Sequence, residues 1–176
     1  EGTPPPAVTG DLAITVQGIA VKPLWDAAST HQHYSTDEDS SGIVLNVKAS
    51  LTDTDGSETL SYQIKWESGL GSLTLNGKVL QPGSNGLYTV TAGDINKITV
   101  LPGKDYSGDI RLTVTPVSTE KSPVVSGQNK ALGDPLDLVI NVNPQADDAK
   151  LTVRDIQGKE DTLLDLIRGF VEHGPA

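Results

Sequence analysis

Alternating apolar and polar positions run along most of this chain at a period of two, the spacing of strands rather than helices. The clearest case is 43 to 51, where Ile43, Leu45, Val47, Ala49 and Leu51 share one side and Val44, Asn46, Lys48 and Ser50 the other. One wet and one dry face is what an antiparallel sheet over a core requires. The pattern recurs at Leu12, Ile14 and Val16, at Leu60, Tyr62, Ile64 and Trp66, and in the segments 72–80, 86–91, 97–101, 109–117 and 136–142. Asn76-Gly77 lies between two apolar runs, a hairpin signal, because both central residues of a type I′ turn need positive φ. Short strands punctuated by turn residues predict an all-β fold, an antiparallel β-sandwich. Helical spacing occurs only near the end, where Leu163, Leu164, Ile167, Phe170 and Val171 share a helix face behind an Asp161 or Thr162 cap. The same stretch reads equally as a strand broken at Gly169.

Between two of these strands, ASLTDTDGSETLSYQI places Asp53, Asp55, Ser57 and Glu58 within six positions. Hard cations such as Ca²⁺ take six to eight oxygen ligands, which a turn of this kind can supply without disturbing its flanking strands. It is not a helical calcium loop: counted from Asp53, the glycine comes fourth rather than sixth, and the twelfth residue is Ile64 instead of a bidentate Glu. The plainer reading is a solvated turn, for which Asp and Gly are ordinary residues. Further acidic groups stand at predicted strand ends: Asp37, Glu38 and Asp39; Asp105 and Asp109; Glu120; Asp147 and Asp148; Glu160 and Asp161. Strand ends of a sandwich gather at its two poles, where carboxylates repel one another unless a cation bridges them. Several calcium ions are the expected cofactor, and their removal is expected to destabilise the chain.

Composition narrows the function. Over 176 residues there are 23 acidic and 13 basic side chains, a formal charge of −10, which argues against nucleic acid or an anionic membrane surface as partner. Cysteine is absent, so neither a disulfide framework nor a thiolate metal site exists. No apolar run approaches the ~18–20 residues of a membrane-spanning helix. The Pro-rich opening EGTPPPAVTGD is no secretory signal. The chain is therefore expected to be an excised piece of something larger, with residues 1–10 a leader, 11–148 the sandwich and 149–176 an extension.

The motifs SLTDTDGSETLS, DYSG, VSTE and NPQAD, in that order, resemble the tandem immunoglobulin-like or cadherin-like repeats of giant bacterial RTX adhesins, over about residues 36 to 165. The resemblance implies β-sandwiches joined through interdomain calcium, at the bacterial cell surface, with neighbouring adhesin domains as partners. By that likeness the ligand carriers are Glu38, Asp39, Asp53, Asp55, Glu58, Glu120, Asp147, Glu160 and Asp161. The segment from Ala149 onward resembles the opening of a next repeat.

One departure stands out. Residues 17–36 form a longer connection than such repeats carry, and they contain Trp25, His31, His33 and Tyr34. Long loops in compact domains are often functional, and exposed aromatics on a rigid scaffold suit recognition. Some adhesins of this family carry a distal module that binds short peptides on partner cells with calcium at the peptide carboxylate. The resemblance and the loop together predict a module binding a peptide or protein on another cell, with these four residues at the ligand. A spacer rigidified by Ca²⁺ is the alternative, and a glycan-binding module a second one. Trp25 and Tyr34 read equally as caps on a sandwich edge. His31 and His33, two apart, would share a strand face and could hold zinc with Asp26 or Asp37, though a solvent-facing loop accounts for them as well. No GxSxG-like nucleophile motif is present, and the acids sit in Gly/Thr turns with cation-ligand character rather than flanking a sugar site, so no enzyme is expected.

Overall fold

The computed structural model describes Gly2 and residues 10–121 and 125–146. The chain divides into two compact units, Glu1–Gln145 and Ala146–Ala176, and all that follows concerns the first. Asp147, Glu160 and Asp161, the expected C-terminal helix and the resemblance of 149–176 to a next repeat lie outside the described residues, as does most of the 1–10 leader.

The chain is almost wholly strand. In order come β1 (Leu24–Trp25), a 3-10 turn (Ala27–His31), β2 (Tyr34–Asp37), β3 (Ile43–Val44), β4 (Ala49–Ser50), β5 (Glu58–Ser68), β6 (Gly71–Leu75), β7 (Lys78–Val79) and β8 (Tyr88–Thr91). A second 3-10 turn (Ile95–Lys97) precedes β9 (Ile98–Pro102), β10 (Gly108–Glu120), β11 (Lys130–Leu132) and β12 (Leu136–Asn143). One sheet has the order β2-β12-β10-β5-β8 with β11 also on β10; a second has the order β3-β9-β6-β7; β1 and β4 form a small third. Every pairing is antiparallel except β2 with β12, which is parallel. Tyr62, Ile64, Ile110, Leu112, Val114 and Ile140 of the first sheet and Leu73, Ile98 and Val100 of the second are buried in one apolar cluster.

Local chemistry accounts for the turns and breaks. Asn76 and Gly77 have φ of 51° and 77°, the positive pair a type I′ hairpin needs between β6 and β7. Strand β10 holds β12 along 108–114 and β11 along 117–119. Pro116, with no amide to donate, falls in the gap between those two partners.

Two expectations change. The alternation at 43–51 is real in burial, with Leu45, Val47 and Ala49 inside, but the ladder covers only its ends. This segment leaves β9 and passes to β1, and the amides in between are taken up by side chains. Asn46 donates to Tyr34 Oη (3.0 Å), Val47 to Asn96 Oδ1 (3.0 Å), Lys48 to Ser29 Oγ (2.7 Å) and Ala49 to Tyr62 Oη (2.8 Å). The first strand, expected from Leu12, Ile14 and Val16, does not form among the described residues. Those side chains are 83%, 76% and 80% exposed. The edge beside β12 is occupied instead by β2, from the supposed loop, which buries Tyr34 there.

Candidate metal centre

Antiparallel pairing of β5 with β10 sets Glu58 directly opposite Glu120. Facing residues on an antiparallel pair project to the same side of the sheet, and two carboxylates placed so repel. Both are buried, at 5% and 6% exposure. Glu58 Oε1 accepts the Val21 amide at 2.5 Å, while its Oε2 is buried without a hydrogen-bond partner. Glu120 Oε2 accepts only a long bond from Ser57 Oγ, 3.3 Å. An ionised carboxylate has about four acceptor sites, so this pair is short of donors or of positive charge.

The acidic turn lies next to it. Asp53 Oδ1 accepts the Asp55 amide (3.0 Å), Asp55 Oδ1 accepts the Ser57 amide (2.7 Å), and Gly56 takes φ of 84° between them. These are Asx turns, in which a short side chain replaces the backbone acceptor. The Ser57 side chain first, and then its amide, hold Asp55 below the usual carboxylate range. Lys121 spends its ammonium on the Gly56 carbonyl at 2.5 Å.

The remaining wall comes from the N-terminal side of the chain. Val16, Gln17, Gly18 and Ile19 join Asp53, Asp55, Ser57 and Glu120 around a cavity of about 430 Å³. Gly18 lies so close to the Glu120 carboxylate that a Cβ there would stand 2.6 Å from Oε1. The donor set is all oxygen, which suits a hard cation and not a thiophilic one. Among the described residues no three His, Asp or Glu side chains converge tightly enough to enclose an ion by themselves. Ser57, Gln17 and the main chain of the lining segment are the other oxygen donors at the cavity.

The opposite end of the first sheet holds a different acidic group. The 13 residues of β10 separate the two ends by roughly 40 Å at ~3.3 Å per residue. Gln145 donates its amide to Glu38 Oε1 (2.6 Å), Asn143 its side-chain amide to Asp37 Oδ1 (3.2 Å), and Asp105 its amide to Asp39 Oδ1 (3.3 Å). Asp39 and Asp105 both have positive φ, 57° and 55°, which Asp tolerates better than most residues. Asp37, Asp39 and Asp105 are exposed, and Asp105 is paired with Lys104 at 2.8 Å. Of the expected metal ligands, then, Asp53, Asp55, Glu58 and Glu120 come together at one end, and Glu38, Asp39 and Asp105 at the other.

The four residues expected at a ligand are not an exposed aromatic surface. Tyr34 is a core residue. Trp25 is half-buried in β1, its ring 5.8 Å from that of Tyr62 at 31° and its Nε1 donating to the Asp134 carbonyl at 2.8 Å. An edge-capping role describes both. His31 and His33 are exposed, but His31 closes a 3-10 turn, so strand spacing does not apply to the pair. Asp26 is engaged with Lys48 and Asp37 with Asn143.

Sequence reasoning did not single out Gly18 or the segment 16–19. Nothing local marks them, because their role comes from a contact with residues about a hundred positions away. Comparison with protein-family models, curated proteins and solved structures found no match.

Proposed function

We propose that this chain is a calcium-stabilised, extracellular adhesion module of the immunoglobulin-like or cadherin-like sandwich type, as in bacterial RTX adhesins, serving chiefly as a stiff spacer. The observation that carries the reading is the buried Glu58 and Glu120 pair, facing each other with an unpartnered oxygen and walled by Asp53, Asp55 and Ser57. Two like charges in that position cost stability alone and favour folding when an ion joins them. Acidic groups at ends roughly 40 Å apart also suit an element that transmits position or load along its length.

The spacer reading is preferred to a peptide-binding module because Tyr34 is interior and Trp25 is packed on Tyr62. Titration calorimetry with Ca²⁺, and then with short free-carboxyl peptides and glycans in the presence of Ca²⁺, separates the readings. Heat with Ca²⁺ alone supports the spacer. Saturable peptide heat that disappears in EDTA would reinstate the ligand-binding module, and the absence of any calcium heat would sink both.

A further inference from the structure

The 16–21 segment crosses the Glu58–Glu120 pair and belongs to neither strand. Upstream of it Leu12, Ile14 and Val16 stand exposed with no described partner, and downstream the chain enters β1. Its anchors are few: Ala20 donates to the Gln128 carbonyl (3.0 Å), Gly18 accepts from Val125 (3.1 Å), and Val21 donates to Glu58 Oε1 (2.5 Å). The last of these ties the segment to a carboxylate whose other oxygen is unpartnered. Gly18 places bare main chain against the second carboxylate, closer than any side chain would allow.

We propose that a divalent cation in this cavity acts as a latch, fastening the 16–21 segment to the ends of β5 and β10 and so setting where the preceding chain leaves the domain. This rests on the calcium reading above and adds a consequence to it. With no cation, two buried like charges lie beneath a segment held by three hydrogen bonds, and that segment opens readily. With a cation held between the carboxylates, Glu58 is fixed, Val21 keeps its acceptor, and the main chain at Gly18 can share the ion's oxygen shell. Ca²⁺ suits this better than Mg²⁺, because it accepts irregular shells and mixed carboxylate, hydroxyl and carbonyl ligands.

The test is amide hydrogen exchange by mass spectrometry on the full chain, in CaCl₂ against EDTA, beside calorimetry of Ca²⁺ binding. The expected result is calcium heat together with slowing, on the order of tenfold, at Ala20 and Val21, and little change in the centres of β10 and β12. Calcium heat with unchanged exchange at 20 and 21 overturns the latch and leaves the calcium reading standing. No heat and no change in melting overturns both. Gly18→Ala, which puts a methyl group into the Glu120 carboxylate without demanding a positive φ, should weaken Ca²⁺ binding at least about tenfold and abolish the calcium-dependent protection, with unchanged melting in EDTA. Undiminished affinity in that variant contradicts the proposal. Should the variant not fold, exchange in the unaltered chain decides alone.

Discussion

Glu58 and Glu120 are where a single residue governs the molecule. Each is buried, each faces the other, and Glu58 carries an oxygen with no partner. Glu58→Gln removes one of the two charges while keeping an oxygen for the Val21 amide, so it should raise stability in EDTA by about 1 kcal/mol and shrink the gain on adding Ca²⁺. Denaturant unfolding with and without calcium reads both signs; a variant less stable in EDTA yet still calcium-responsive would refute the repulsion argument. Tyr62 and Tyr34 act at the same scale. Their hydroxyls accept the Ala49 and Asn46 amides, and burial pushes both phenols above their ordinary pKa despite those bonds. A raised folded pKa means that the contribution to stability is complete below the unfolded value, about 10, and is lost as pH rises through the folded one. Stability should therefore be level from neutral pH to about 10 and fall above it. Tyr62→Phe should cost about 1–3 kcal/mol by orphaning the Ala49 amide and should flatten the alkaline fall.

Elements obey the same logic at longer range. The hairpin of β6 and β7 is held by a two-residue turn at positive φ, and Asn76-Gly77 announces it in the sequence. Gly77→Ala keeps the register but puts a Cβ at φ of 77°, and should cost about 1 kcal/mol in urea unfolding, with no change in calcium response. The strands β5, β8, β9, β10 and β12 were legible from alternation, because each has one face on the core along its whole length. The segment 43–51 was legible in its burial and not in its pairing. Which neighbour takes an amide depends on Tyr34, Asn96, Ser29 and Tyr62, remote residues that periodicity does not register. The segment 11–17 shows the converse failure: a strand pattern needs a free edge, and Tyr34–Asp37 occupies the edge beside β12.

For the whole molecule, the acidic ends set the dependence on conditions. A cation that binds only the folded chain adds RT ln(1 + [L]/Kd), about 2.7 kcal/mol at a hundredfold excess over Kd. That corresponds to a melting temperature higher by about 5–10 °C in Ca²⁺ than in EDTA for a chain of this size. A melting curve indifferent to EDTA would contradict the function proposed for the chain. Salt alone should not reproduce the gain, since screening acts on exposed charges and much less on Glu58 and Glu120.

The sequence by itself determined the all-β character, the positions of most long strands, one hairpin turn and the candidacy of Asp53, Asp55, Glu58 and Glu120. These depend on period-two burial and on turn chemistry, which act over a few residues. Tertiary structure decided which carboxylates meet. It set Glu58 against Glu120 across a ladder 62 residues apart in sequence, sent Glu38, Asp39 and Asp105 to the far end, drew Tyr34 inward and laid Gly18 over the acidic pair. Those outcomes follow from strand order and register, which local patterning leaves open, because any alternating strand can pair with any free edge until packing chooses among them.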